Sequence, residues 1–211
     1  MSTLAPMPTA FATAPATIGP VLPPPEDDPE WPITIPMYQE MIRLGLFDDA
    51  PLVYLWNGRL VERMPPYPPH SESVRIGYDL LRDLIPPGYQ IDRERPMALS
   101  RSPSAPQPDL AIIRGRFRDF APKFFPASAA ALLVEVTDSP LAKDRRNAAT
   151  YAAEGVPIYV IVNLGERQIE LHSDPVEDIY RTRTILAESD EFPVILDGRE
   201  VGRVRVADLL P

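Results

Sequence analysis

The chain contains no cysteine, and that removes several classes of chemistry at once. Disulfide staples, thiolate-ligated zinc, iron–sulfur clusters and cysteine nucleophiles are all excluded, and the absence fits a cytoplasmic protein. No apolar run approaches the roughly 18 residues that a membrane-spanning helix needs, so no membrane partner is expected. The opening MSTLAPMPTAFATAPATIGPVLPP has no Lys or Arg ahead of its apolar residues and is broken by Pro6, Pro8, Pro15 and Pro20. It reads poorly as a signal peptide. Basic charge is also scarce: 21 Lys and Arg stand against 30 Asp and Glu, a formal net charge of -9. That balance gives no general pull towards nucleic acid or an anionic membrane, so any nucleic-acid site has to be local. No internal repeat, recognition helix or zinc finger is evident.

What is present suffices for one core of ordinary size, since 211 residues are too few for two large domains. Residues 1–30 are Ala/Pro/Thr-rich and then acidic through Glu26, Asp27, Asp28 and Glu30, a composition expected to form a disordered tail. Residues 31–211 are expected to form a single domain. Within it, MYQEMIRLGLF predicts a short amphipathic helix. PLVYLWNGRLVERM predicts a hairpin around Asn57-Gly58, because both residues tolerate positive φ. PPYPPH is expected to lie outside helix and central strand, and SESVRIGYDLLRDLI to form the next helix. Extended segments follow at YQIDRERPMAL and DLAII. Residues 131–137, about 140–154 and 157–163 then read as strand, helix and strand, with Gly155 as C-cap, a crossover to a parallel neighbour. RQIELH, DIYRTRTIL and REVGRVRVADLL read as sheet-edge material and a short terminal element. The class expected is α/β.

Three acids fall on strands or at strand ends: Glu62, Asp109 and Glu135. If the strands adjoin, their oxygens converge on one hard divalent cation, since Mg²⁺ takes oxygen ligands. Such an ion activates a bound water and offsets charge on a phosphoryl oxygen. Each acid also has a plainer reading. Glu62 beside Arg59 and Arg63 fits a surface ion pair, and Asp109 after Pro108 fits a turn residue. Glu135 is the exception, because Leu133, Val134 and Val136 surround it and a buried charge requires a partner. On the following helix Lys143, Asn147 and Tyr151 stand four residues apart and share a face. Lys143 is a candidate for stabilising phosphoryl charge, although Lys143, Arg145 and Arg146 also fit a solvated helix surface.

The stretches GLFDDAPLVYLWNGRLVERMPPYPPH, QPDLAII, LLVEVTDS and YAAEGVPIYVIVNLGERQIELH, in that order and spacing, resemble the Uma2-like family of bacterial restriction-endonuclease-like proteins. The likeness runs from about Tyr38 to Leu209. It implies a PD-(D/E)xK nuclease fold: a restriction-endonuclease-like core with a mixed central sheet, flanking helices and an N-terminal β-hairpin. It further implies that Glu62, Asp109 and Glu135 bind the divalent metal, Mg²⁺ with Mn²⁺ as a substitute. The fold-wide signature has lysine two residues after the last acid, where this chain has Thr137. In the subgroup the lysine is displaced to four residues before the tyrosine of YA-x-x-G, where this chain has Asn147. Lys143 is the available substitute, one turn earlier and about 6 Å away from the 1.5 Å rise per residue. His70 matches a family histidine and joins Thr137, Asn147 and Tyr151 as accessory candidates. Relatives carry an acid at the Tyr54 position and Asp at the Asn57 position.

The leading expectation is a Mg²⁺-dependent endonuclease that hydrolyses DNA phosphodiester bonds, with Glu62, Asp109, Glu135 and Lys143 as its catalytic set. The alternative is a catalytically inactive nuclease-fold protein serving as an interaction or oligomerisation module, motivated by the missing lysines. A basic face for DNA would draw on Arg93, Arg95, Arg101, Arg114, Arg116, Arg118, Lys123, Lys143, Arg145 and Arg146. Residues 168–171 and 201–206 are expected to leave strand edges that a second subunit covers in a homodimer.

Overall fold

A computed structural model describes residues 29–49, 52–138 and 142–211, without the side chains of residues 142 and 143. The chain divides into two units, Met1–Glu30 and Trp31–Pro211, and the second carries every element below. The tail expected over residues 1–30 lies, apart from its last two residues, outside the described residues.

Helix α1 (Ile35–Arg43) starts at Thr34, whose Oγ1 accepts the Met37 N–H at 3.3 Å. Strands β1 (Val53–Trp56) and β2 (Arg59–Glu62) form the expected hairpin. Its turn takes positive φ at both Asn57 (48°) and Gly58 (76°), which suits the right-handed twist of the strands. Helix α2 spans Pro68–Leu84, so Pro68, Pro69 and His70 lie inside it and not ahead of it. The physical reason is positional: the first N–H groups of a helix have no intrahelical acceptor, so proline loses nothing there.

The central sheet has six strands in the order β10-β9-β8-β7-β5-β3, taken from β3 (Tyr89–Arg93), the two-residue β4 (Met97–Ala98), β5 (Leu110–Arg114), the two-residue β6 (Phe125–Pro126), β7 (Ala130–Thr137), helix α3 (Ala142–Ala153), β8 (Ile158–Asn163), β9 (Gln168–Val176) and β10 (Ile179–Ala187), with β4 and β6 pairing separately. Only β7 and β8 run parallel within it, joined through α3, and every other neighbouring pair is antiparallel. β11 (Glu191–Leu196) and β12 (Arg199–Arg205) form a separate ribbon ahead of α4 (Val206–Leu209). This is an α/β fold with a mixed central sheet, flanking helices and an N-terminal hairpin.

Period-2 alternation sorts the sheet into two faces. Leu110, Ile112, Leu132, Val134, Val136 and Val162 join α2, the β11–β12 ribbon and α4 in one core. Ala111, Ile113, Leu133, Tyr159 and Ile161 meet Ala148 and Tyr151 of α3 in the other. Glu135 belongs to this second face, between Leu133 and Thr137. Gly155 ends α3 at φ 75°, with the Val156 N–H reaching back to the Tyr151 carbonyl at 3.0 Å.

One expectation about the C-terminal third is corrected: residues 168–171 are not an edge, because β9 is paired on one side with β8 and on the other with β10. Residues 201–206 lie in β12 and the start of α4, where the two-stranded ribbon leaves β12 one unpaired side among the described residues. β11 has no counterpart in the sequence reading. Pro193 sits at its middle and argues against a strand, but a two-stranded ribbon leaves one backbone side unpaired and tolerates it.

Helix α3 is fastened to this sheet by Glu170, whose fully buried carboxylate accepts from Arg145 of α3 (Nη2, 2.6 Å) and Arg183 of β10 (Nη2, 2.7 Å). Burial alone pulls the carboxyl upwards, but the hydrogen bonds and charges of the two guanidiniums outweigh it and hold it at about 2. Because the folded value lies below the ordinary one, the stabilisation is complete above about pH 4.5 and is lost as pH falls towards 2. Both arginines are half-exposed, so Glu170→Ala is expected to cost about 1–2 kcal/mol at pH 7 in urea unfolding, less than a fully buried pair. That difference should vanish near pH 2; an unchanged gap at that pH would contradict the assignment.

Candidate active site

The hairpin, the start of α2, the entry to β5 and the end of β7 surround a cleft of about 290 Å³. The hairpin is held by Tyr38, whose hydroxyl donates to the Val53 carbonyl at 2.9 Å, and by the Ala105 N–H bonded to the Leu55 carbonyl at 2.8 Å.

Asp109 sits at the cleft floor and is 2% exposed. β5 begins at Leu110 opposite Val134, so the Val136 N–H on the neighbouring strand lies beyond the ladder. Asp109 Oδ2 accepts that N–H at 2.8 Å. The same oxygen lies 3.1 Å from His70 Nε2 at the start of α2, and Oδ1 accepts from Arg63 Nη2 at 2.7 Å. Arg63 also pairs with Glu94 at 3.0 Å. The hydrogen bond that His70 donates to Asp109 lifts the His70 pKa above its ordinary value, against the effect of burial. His70 Nδ1 is buried and has no hydrogen-bond partner among the described residues.

Glu135 lies beside Asp109: its Oε2 accepts the Asp109 N–H at 3.3 Å, and its Oε1 accepts the Tyr151 hydroxyl at 3.1 Å. Burial pushes its carboxyl well above the usual range, and the negative charges of Asp109 and Asp144 add to the shift. Arg63 and the Tyr151 hydroxyl oppose it. Burial likewise raises Tyr151, which keeps its proton and donates it. Among the described side chains, the cation that Glu135 demands is only partly supplied, by Arg63.

Glu62 lines the cleft, exposed, and makes no hydrogen bond or ion pair among the described residues. Glu62 and Arg63 are consecutive in an extended segment, whose neighbouring side chains leave opposite faces. It is Arg63 that reaches Asp109. Among the described residues no group of three His, Cys, Asp or Glu is placed to hold a metal ion. Asp109 and Glu135 do offer adjacent oxygens, and Mg²⁺ is commonly held by one or two carboxylates with water completing its shell. Asp109 Oδ1, with one partner, keeps a second acceptor position. The donor chemistry and the excess negative charge fit a hard divalent cation.

Thr137, Asn147 and Tyr151 all line the cleft with His70. Lys143 is in the first turn of α3, and its side chain lies outside the described residues, as does residue 140, the expected start of the helix. Arg63 and Asp144 are site residues that sequence reasoning did not supply. Arg63 looked like a surface partner of Glu62, and only the spatial closeness of β2 and β5 reveals otherwise. Of the ten residues considered for a basic DNA face, four are engaged in ion pairs: Arg95 with Asp92, Arg114 with Asp197, Arg116 with Asp119 and Arg145 with Glu170. No helix among the described residues is long and apolar enough to cross a membrane.

The pattern of the Uma2 family, described as "Putative restriction endonuclease", matches residues 36–202. No curated protein matches the sequence. Among solved structures, the fold is similar to a crystal structure titled as a "putative nuclease belonging to DUF820" from Anabaena variabilis, with a TM-score of 0.59 and 13% identity over 75% of this chain and 89% of that one. At that identity the likeness concerns the fold. The family pattern covers the hairpin, the cleft and the whole central sheet, and the chain belongs to the Uma2 family, within the PD-(D/E)xK nuclease-like proteins.

Proposed function

We propose that this protein is a divalent-metal-dependent endonuclease that hydrolyses DNA phosphodiester bonds in the cytoplasm. The observation that carries the reading is the meeting of Asp109 and Glu135 in one cleft, with Glu135 pushed up by burial and by its acidic neighbours. Asp109 and Glu135 would hold Mg²⁺ or Mn²⁺ with water filling the shell, and Glu62 would act as a third ligand only on turning inward from the rim. When bound, the ion supplies Lewis-acid stabilisation of phosphoryl charge and a water of lowered pKa. Arg63 would then offer its guanidinium to a phosphate oxygen, a planar fork suited to that group. Lys143 is the second candidate for this role. His70 and the Val136 N–H orient Asp109, and Tyr151 orients Glu135. Thr137 and Asn147 are accessory wall residues. We further propose that the enzyme acts as a homodimer. Sedimentation velocity over a range of concentrations tests that arrangement, with a strict monomer as the contrary result.

Purified protein should cleave plasmid DNA in Mg²⁺ or Mn²⁺ and not in EDTA. A second reading, an inactive scaffold used for interaction or oligomerisation, draws on Thr137 at the lysine position and on an Asp109 already paired with Arg63. Plasmid left intact in either metal would favour that scaffold and overturn the enzyme.

A further inference from the structure

Resting on the nuclease reading, we propose that the substrate is an unpaired stretch of DNA, gripped by stacking of its bases on the aromatic wall of the cleft. β1 alternates: Leu55 is fully buried among Tyr38 and Ala105, while Tyr54 and Trp56 leave the opposite face and line the cleft. Their rings stand 6.4 Å apart, edge to face. Tyr67 and Met64 also line the cleft and are 63% and 77% exposed. Such flat, polarisable surfaces held at the edge of a site are what bases of any sequence stack upon.

The charges point the same way. A protein that holds a duplex by its phosphates presents a basic surface. Here the described side chains of the wall include Glu62, Asp109, Glu135, Asp138 and Asp144 against one arginine, Arg63. Such a wall repels a ladder of phosphates and leaves room for one phosphate at Arg63 and the two floor carboxylates. The volume of about 290 Å³ is at the small end of ligand pockets, enough for a base with its sugar and not for a helix. A duplex would have to unpair and unstack a base to reach the floor, whereas a single strand has no pairing and less stacking to give up.

The test uses the full chain with Trp31→Phe, which leaves Trp56 as the sole indole. Fluorescence titration compares a single-stranded oligonucleotide with the same sequence as a blunt duplex, in EDTA and in Mg²⁺. The expected result is quenching of Trp56 by the single strand, with affinity at least tenfold above that for the duplex. Adding Trp56→Ala, read by fluorescence anisotropy of labelled DNA, should lower single-strand affinity about tenfold, and Trp56→Tyr should restore most of it, because the ring and not the indole N–H carries the contact. Equal or tighter duplex binding, or a Trp56→Ala variant with unchanged affinity, overturns the proposal. Cleavage of duplex and single strand at equal rates would sink it while sparing the nuclease. Single-strand binding with quenching but no cleavage in Mg²⁺ would do the reverse.

Discussion

Asp109→Asn should abolish metal-dependent cleavage, lowering the rate at least 10³-fold, since loss of the ion forfeits several kcal/mol and each 1.36 kcal/mol is a factor of ten. Asparagine is the informative replacement because its carbonyl oxygen still accepts the Val136 N–H, the bond at 2.8 Å that ties the entry of β5 to β7. The fold should therefore survive, with a melting temperature within a few degrees of wild type. What the variant loses is the negative charge that pairs with Arg63 and His70 and that would grip the ion. Cleavage retained within tenfold in a folded Asp109→Asn protein would remove Asp109 from the mechanism.

The second large effect has the opposite sign on stability. Glu135 is held well above the usual carboxylate range by burial and by Asp109 and Asp144. The folded state thus binds its proton more tightly than the unfolded chain does. In the absence of metal, stability falls as pH rises above the ordinary value of 4.5, and the penalty is complete once Glu135 is ionised in the folded protein. Glu135→Gln removes that ionisation. It keeps an acceptor for the Tyr151 hydroxyl and gives up at most the long 3.3 Å bond from the Asp109 N–H. In EDTA at pH 8 the variant should be more stable than wild type, by about 1–3 kcal/mol, the usual cost of an uncompensated buried polar group. The gap should close towards pH 4.5, where both proteins carry a neutral group. Addition of Mg²⁺ should raise the melting temperature of wild type and not of Glu135→Gln, because a bound ion stabilises only the state that binds it. Thermal melts at the two pH values, with and without metal, check each part. A variant less stable than wild type at pH 8 would mean that Glu135 is already satisfied within the protein.

These effects trace back to features that differ in how far the sequence exposes them. The Asn57-Gly58 hairpin, the apolar β7 interrupted by one acid, and the strand–helix–strand unit ending at Gly155 are local patterns, and each was legible from periodicity and turn chemistry. The pairing of β9 with β10 was not, because β10 is mostly exposed and its position depends on a hairpin partner, not on its own composition. Pro68 and Pro69 masked the true start of α2, since the same residues that break a helix are accepted in its first turn. At the site, Glu135 announced itself by being charged among valines and leucines. Arg63 did not, because an arginine next to a glutamate on a short strand looks the same whether it faces solvent or a buried aspartate 46 positions away. The displaced lysine is a similar case: spacing along α3 leads to Asn147, with Lys143 one turn earlier on the same face, and only a side-chain position could bring that lysine to the cleft.

The central claim is that Asp109 and Glu135 together bind a hard divalent ion, and calorimetric titration with Mn²⁺ addresses it without reference to any substrate. Wild-type protein should bind one ion per chain at millimolar concentration or tighter, with affinity rising with pH as Glu135 gives up its proton. The double variant Asp109→Asn, Glu135→Gln should give no heat of binding over the same range. Identical isotherms for the two proteins, or no binding to wild type at all, would contradict the account.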